Sequence, residues 1–423
     1  MTLLKSLTVK HFFKQISSPA MMTLIRGFTA VATGALFSRV LSAIAGILLV
    51  RYFDDPALYG QYATLVTILS LISNLLGIGF DTWLLREGGR DPAQLSFNAR
   101  RLIVLKFGTS SLLIGTLTLA WNQADLHWLI IIGMFGIIAE SYISTGYVIL
   151  HALSRNSLVA MLQSVSTLLT VGLILILMHW PPQVATLIVG QSSVSGLMLL
   201  MISILLAEQW RGAWRPLRLG HLIRDAGFFI LADVLANIYS QAQIAILAFL
   251  TDDVNVGIFR TAVNLITMSF LVPMAMFNVG LPLLSRRYQD RRQWYLLLFG
   301  MFAISFFYGF TVLICFRWFG DNILQLLYGS KYEMAIPLLV PLSIVPLFKS
   351  LSFVAIMAML ALGAQRLRVI LQSVVVLISL LGGWIIISRL GLEGATLSYI
   401  IVEGVLCLLY WVGAIYTLHK TRL

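Results

Sequence analysis

Six ionisable side chains lie deep inside long apolar stretches of the sequence: the basic Arg39, Arg260 and Lys349 and the acidic Glu140, Asp233 and Glu403. A charge at such depth in a membrane costs at least about 2.5 kcal/mol on insertion scales, so each group must face protein or water. Arg and Lys at such positions can bind phosphates or carboxylates, and a carboxylate can exchange a proton or hold Na⁺. The charges therefore predict either a site for an anionic substrate coupled to a cation, or pairs that only neutralise one another.

Polar residues continue the helical faces that carry these charges. Asn237 and Gln241 follow Asp233 at i+4 and i+8, and the same kind of spacing joins Ser70 to Asn74. We predict that six residues bind the substrate, namely Arg39, Lys349, Arg260, Asn237, Gln241 and Asn74. We predict that the three carboxylates Glu140, Asp233 and Glu403 serve ion coupling. Polar faces also hold membrane helices together, and that alternative stays open.

Sequence patterns of enzymes and of metal sites are missing. The chain has six His but no HExxH, GxSxG or P-loop pattern. Its two cysteines, Cys315 and Cys407, both lie in apolar runs, so neither a disulfide framework nor a thiol metal site is indicated. We therefore expect no enzymatic activity and no cofactor, with H⁺ or Na⁺ as the candidate coupling ion.

The elements that carry these residues are membrane helices. The 423-residue chain is 59% hydrophobic and 11% charged, with a mean hydropathy of +0.92. A bilayer core needs about 20 apolar residues of helix. We predict an all-α integral membrane protein with twelve spans, at about 27–50, 58–80, 102–121, 127–150, 158–179, 183–206, 226–250, 256–281, 294–316, 334–361, 367–388 and 393–417. The longest external loop is predicted from Arg317 to Glu333.

The distribution of positive charge fixes the orientation of these spans. With both termini in the cytoplasm, interior segments hold 22 of the 29 Lys and Arg residues, and exterior loops hold four. That asymmetry follows the positive-inside rule. The net charge of +12 therefore serves membrane orientation, and we expect no nucleic-acid partner.

Short repeats divide the chain into two parallel halves. Ala152-Leu153 recurs as Ala361-Leu362 at an offset of 209, and Gly60-x-Tyr62 recurs as Gly257-x-Phe259 at an offset of 197. Six spans per half keep the same orientation, as in parallel transporter repeats. The predicted segments are an amphipathic, cytoplasmic N-terminal segment (1–25), an N-lobe (26–207), a cytoplasmic loop (208–225), a C-lobe (226–418) and a cytoplasmic tail (419–423).

The offset of 209 places Glu140 at the position that Lys349 holds in the second half. Three prolines, Pro337, Pro341 and Pro346, come shortly before Lys349. Each proline removes a helix hydrogen bond, so this span is predicted to be kinked or broken beside the charge.

Residues 34 to 90 carry a family resemblance. They contain a helix of small residues around Arg39, a short acidic turn followed by Tyr59-Gly60-x-Tyr62, a second helix, and then Arg86-Glu87. This order resembles the start of the polysaccharide-transporter branch of the MOP exporter superfamily, the Wzx-type O-antigen flippases. The resemblance implies a MATE-like fold and transfer of undecaprenyl-diphosphate-linked oligosaccharides across the bacterial inner membrane, by alternating access driven by an ion gradient. It leaves open whether the protein associates with a polysaccharide polymerase or chain-length machinery; membrane lipids are its other expected partners.

Two other classes of function stay open on the residues alone. A membrane-embedded glycan polymerase or glycosyltransferase normally needs a sizeable external loop, which the predicted spans do not leave. A drug or cation antiporter of the same superfamily would favour a cavity dominated by carboxylates. The deep charges are balanced between acid and base, so charge by itself does not exclude the antiporter.

Overall fold

The computed structural model describes residues 40–73, 80–81, 84, 94–120, 127–153, 155–211, 219–286 and 291–420. Regular structure within these ranges is helical throughout, which confirms the all-α prediction. The helices are α1 (Val40–Phe53), α2 (Pro56–Ser73), α3 (Leu95–Ala120), α4 (His127–Ala152), α5 (Asn156–Leu177), α6 (Val184–Leu205), α7 (Leu219–Leu250), α8 (Asp253–Met268), α9 (Leu271–Arg286), α10 (Arg291–Tyr328), α11 (Ile336–Leu342), α12 (Val345–Ala361), α13 (Gln365–Leu377) and α14 (Gly383–Lys420). A 3₁₀ segment (Ser330–Ala335) precedes α11, and a π-helical turn (Ile378–Gly382) joins α13 to α14.

Membrane-spanning helices dominate the described part of the chain. Five helical segments there are long and apolar enough to cross a bilayer, or up to seven if each of two bent pairs is one span. The protein is therefore an integral membrane protein. The count of twelve spans stays a prediction, because several of them run into residues outside the described ranges.

The hairpin between the last two predicted spans is present inside α14. Gly391 has φ +55° and ψ −126°, which is not helical. A Cβ at Gly394 would lie 2.6 Å from the carbonyl oxygen of Ile386, and one at Gly383 would lie 3.1 Å from Ser398 Oγ. Such contacts require the chain to reverse at Gly391, so α14 contains the end of one predicted span and the whole of the next.

The prediction of an external loop from Arg317 to Glu333 is wrong. Helix α10 continues to Tyr328, and the 3₁₀ segment follows. Phe316, Gly320, Leu324 and Tyr328 are buried at a spacing of four, whereas Arg317 lies on the exposed face. An amphipathic helix therefore replaces the loop, because one packed face is enough to stabilise it. The predicted loop 208–225 is also too long, since α7 begins at Leu219.

Two spans are broken near the middle of the molecule. The segment Ser330–Leu342 meets α12 at 50°, which confirms the kink predicted from the three prolines. A second break, of 46°, separates α8 from Leu271–Phe277 and was not predicted. Pro273 has no N–H for the carbonyl of Ser269, and the hydroxyl of Tyr308 donates to that oxygen instead at 2.7 Å. Phe270 lies at this second break.

The two Gly-x-aromatic repeats pack directly against each other. A Cβ at Gly60 on α2 would lie 1.7 Å from the carbonyl oxygen of Asp253, and a Cβ at Gly257 on α8 would lie 1.9 Å from that of Pro56. Only glycine permits so close a backbone approach. Helices α2 and α8, one from each predicted lobe, are thereby joined at the end of the molecule that contains the α1–α2 turn.

Candidate functional site

The end of the molecule around the α1–α2 turn is closed. Here α1 and the start of α2 pack against the start of α8, the end of α10 and the 3₁₀ segment. We call this contact the closed seam. Lys331 pairs with Asp54 at its exposed rim, and Arg51 Nε donates to the carbonyl of Leu327 at 2.6 Å. Inside the rim, Tyr332 donates its hydroxyl to the carbonyl of Val50 at 3.3 Å. The seam therefore combines an ion pair, hydrogen bonds to the backbone and buried aromatic side chains.

A cavity of about 480 Å³ lies between α1 and the broken span α8–α9. On the α1 side it is lined by Leu49 and by Ser42, Ala43 and Gly46, which belong to the face of small residues around Arg39. On the other side it is lined by Arg260, Asn264, Thr267, Met268, Phe270, Leu271 and Met274. Arg260 is the one charged side chain among its described lining residues, so the described lining of this cavity, which we call the central cavity, is positively charged.

Arg260 lines the central cavity and is hydrogen-bonded across to α7. Its Nη1 donates to Gln241 Oε1 on α7 at 3.3 Å, which brings two of the predicted substrate residues together. One turn further along α8, Asn264 Nδ2 donates to the hydroxyl of Tyr59 at 2.6 Å. Asn264 in the wall of the cavity is thus hydrogen-bonded to Tyr59 at the closed seam.

Lys349 on α12 lies behind Phe270 in a buried charged cluster. Its Nζ is 2.7 Å from Glu403 Oε1 on α14 and donates to the hydroxyl of Tyr239 on α7 at 2.9 Å. The ring centroid of Phe270, which lines the central cavity, is 5.6 Å from Nζ. The side chain of Lys349 is 15% exposed and that of Glu403 is 1% exposed. The sequence predicted both residues for the site but did not predict that they pair.

Glu140 lies in a separate cavity of about 260 Å³ bordered by α2, α4, α5 and α6. Ser195 Oγ donates to Glu140 Oε1 at 2.8 Å, and Tyr62 donates to Gln191 Oε1 at 3.0 Å. The other polar lining residues carry hydroxyl groups: Ser166, Thr170 and Ser192. A carboxylate among hydroxyl and amide oxygens is suited to a proton or a small hard cation, and Tyr62 joins this cavity to the aromatic side chains of the closed seam.

The structure describes less of the remaining predicted site residues. Arg39 and Asn74 lie outside the described residues. Asp233 belongs to α7, but its side chain is not among those the structure describes. Asn237 Oδ1 is buried and has no hydrogen-bond partner in the described part of the chain. Roles for these four residues stay predictions.

Sequence reasoning missed one buried charged cluster in the predicted N-lobe. Lys106 on α3 was not predicted among the deep charges, but its side chain is 1% exposed and lies 2.9 Å from Asp81 Oδ1. Its Nζ also donates to Thr145 Oγ1 at 2.8 Å and to the carbonyl of Ser141 at 3.0 Å. The apolar run Leu102–Leu105 directly before Lys106 was the sequence signal that could have indicated its burial. All three ammonium protons are used, so the cluster stabilises the packing of α3 against α4.

Comparison with known sequences gives one family. The model of a family described as polysaccharide biosynthesis proteins matches residues 24–288, more than half of the chain. That range includes α1 to α9 and therefore the whole lining of the central cavity. No curated protein sequence is significantly similar to the chain.

Solved structures with the same fold cover nearly all of the chain. The inward closed lipid II flippase MurJ aligns with a TM-score of 0.73 at 15% identity, over 93% of this chain and 87% of its own. An inward-facing multidrug resistance MATE family transporter of the MOP superfamily aligns with a TM-score of 0.69 at 14% identity, over 91% and 96%. A MOP superfamily transporter from Pyrococcus furiosus, described as having a binding pocket of reverse polarity, aligns at 0.67 and 14%, over 94% and 96%. At these identities the likeness shows the fold, which is MATE-like.

Proposed function

The chain belongs to the polysaccharide biosynthesis protein family, and on that premise we propose that it is a flippase for undecaprenyl-diphosphate-linked oligosaccharides. It moves an O-antigen unit or another surface polysaccharide repeat unit across the bacterial inner membrane by alternating access. The diphosphate and sugars occupy the central cavity, and the lipid tail stays in the bilayer. The substrate-binding residues in this proposal are Arg260, Lys349 and Gln241, together with the predicted Arg39, Asn74 and Asn237.

The observation that carries this proposal is the positive charge of the central cavity. Arg260 lines it, and Lys349 lies against Phe270 at its edge. A guanidinium offers a planar fork of donors that suits a phosphate, and an ammonium adds a compact positive charge. Serine, asparagine and threonine side chains on the same walls can bond sugar hydroxyls. An anionic, glycosylated headgroup fits this lining.

The alternative functions fit the structure less well. A transporter for cationic drugs would favour a carboxylate in the central cavity, and none is among its described lining residues. The buried carboxylate of Glu403 is already paired with Lys349. A glycan polymerase or glycosyltransferase would favour a large loop, but the predicted external loop at Arg317 is a helix.

The closed seam supports alternating access. The two predicted lobes contact each other at the end that holds Asp54 and Lys331, while the central cavity lies beyond the seam. Opening at this end requires α2 to separate from α8. With the predicted orientation, the closed end faces the periplasm. Coupling to H⁺ or Na⁺ at Glu140 completes the proposal, with Asp233 and Glu403 as the other candidate carboxylates.

Replacing Arg260 by glutamine should reduce export of the lipid-linked units. Hydrogen bonds to charged groups contribute about 1.5–3 kcal/mol each, so losing one should weaken headgroup binding by about tenfold to a hundredfold. A deletion strain complemented with each variant reports the effect through surface glycan and through lipid-linked units that accumulate inside. Arg260→Lys should keep part of the activity because the positive charge remains.

Two results would contradict this proposal. One is normal surface glycan in the deletion strain without complementation. The other is undiminished export by Arg260→Gln at matched protein level. Glu140→Gln is the matched carboxylate control: it should bind the headgroup as the native protein does, while its export no longer responds to an imposed ion gradient.

The orientation of the protein can be tested independently. Cys315 and Cys407 are first replaced, and single cysteines are then introduced at Arg215 and Asp321. We expect a membrane-impermeant thiol reagent, applied to cells with a permeabilised outer membrane, to label position 321 only. Labelling of position 215 in such cells would overturn the predicted topology.

A further inference from the structure

The pair formed by Lys349 and Glu403 is only partly satisfied. Lys349 Nζ has two partners among the described residues, Glu403 Oε1 and the hydroxyl of Tyr239, although an ammonium group has three protons to donate. Glu403 Oε2 is buried and has no hydrogen-bond partner in the described part of the chain. A buried carboxylate with one oxygen unbonded depends on its single cation, because a buried charge without compensation is costly.

Among the residues that the structure describes, Lys349 is the one cation in direct contact with Glu403. On its own helix it interacts with Tyr399 and Cys407, and across from it with Lys349 and Tyr239. Two guanidinium groups act on the edge of this cluster: Arg260 interacts with Tyr399, and Arg368 interacts with Tyr410 and Tyr239. Glu403 would therefore be left as an isolated buried anion if Lys349 moved to another partner.

Lys349 has a route to such a partner. Phe270 lies at the break between α8 and α9, lines the central cavity and contacts the ammonium group. The side chain of Lys349 is 15% exposed, whereas that of Glu403 is 1% exposed. An anion in the central cavity can therefore approach Lys349 past Phe270, while Glu403 stays buried.

We propose that Glu403 occupies the place of the substrate's phosphate group in the empty carrier, so that the two anions compete for Lys349. When the headgroup binds, Lys349 transfers from Glu403 to a phosphate oxygen, and Glu403 takes up one proton from water in the cavity. When the headgroup leaves, Glu403 releases that proton and pairs with Lys349 again. This inference rests on the proposed function, because it requires an anionic headgroup in the central cavity.

Competition of this kind has a defined dependence on pH. Binding takes up a proton, so the affinity for the headgroup increases as the pH falls, by up to about tenfold per pH unit. Replacing Glu403 by glutamine removes the competing anion. The variant should then bind more tightly at alkaline pH and show no uptake of protons.

The test uses a short analogue of the substrate, farnesyl-diphosphate-linked N-acetylglucosamine. Its diphosphate is a diester, so its own charge stays constant near neutral pH. Calorimetric titration of the purified protein in buffers of different ionisation enthalpy measures both the dissociation constant and the number of protons taken up. We expect close to one proton per headgroup for the native protein, none for Glu403→Gln, and binding weakened at least tenfold for Lys349→Gln.

The possible results separate the inference from the proposed function. Failure of the native protein to bind the analogue at any pH would contradict the proposed function and the inference with it. Binding without proton uptake by the native protein, a measurement that needs no variant to fold, would overturn the inference alone. Glu140→Gln shows which of the two carboxylates takes up the proton: loss of proton uptake in this variant would place the proton in the other cavity and would also overturn the inference.

Discussion

Replacing either Gly60 or Gly257 by alanine should reduce transport to background while leaving the protein inserted in the membrane. The new Cβ would lie 1.7 Å from the carbonyl oxygen of Asp253 in the first case and 1.9 Å from that of Pro56 in the second. Both obstacles are backbone atoms near helix starts, which cannot rotate away as a side chain can. The variant would be unable to form the closed seam, so alternating access would stop with this end open.

Two measurements check this result. Surface glycan in the complemented deletion strain reports transport, and labelling of a cysteine at Val50 reports the state of the seam. Val50 is fully buried in the structure, so a thiol there should react only when the seam is open. Gly300→Ala is the matched control, since nothing lies within 4 Å of a Cβ at that position. Normal transport by Gly60→Ala or Gly257→Ala would show that the seam is not part of the transport cycle.

Replacing Lys106 by methionine should destabilise the protein by about 3–5 kcal/mol, the usual cost of leaving one partner of a buried ion pair without the other. Asp81 would lose the ammonium at 2.9 Å and keep only the hydroxyl of Thr145. The double variant Lys106→Met with Asp81→Leu should recover most of the loss, because no unpaired charge remains.

Unfolding of the purified variants in detergent measures both effects. Recovered surface glycan in the double variant would show that this cluster stabilises the protein without binding substrate. A double variant no more stable than the single one would mean that the ion pair is not what stabilises this region. In that case the hydrogen bonds from Lys106 to α4 would be the contacts that stabilise it.

Features with a local cause could be predicted from the sequence. The break before Lys349 follows from three prolines that each remove a helix hydrogen bond. The face of small residues on α1 follows from helical spacing, and the structure places its described members on the central cavity. The break after α8 has an equally local cause in Pro273, which the sequence analysis overlooked.

Features that depend on helix packing could not be predicted in the same way. The partner of Lys349 is Glu403, 54 residues away, whereas Glu140 bonds Ser195 in another cavity. No spacing along one helix shows which helix packs beside it. Lys106 was missed for a related reason: its burial depends on Asp81 and Thr145 from two other segments.

The reciprocal contact between Gly60 and Gly257 has the geometry of a two-fold homodimer fused into one polypeptide. In a homodimer with such an isologous interface, every substitution appears twice. Fusion removes that restriction. Arg260 follows Gly257 by three residues, and the equivalent residue after Gly60 is Ala63, which is buried. A symmetric ancestor would have carried the same residue at both positions, whereas the fused chain places a guanidinium at one of them and can accommodate a ligand that has no symmetry of its own.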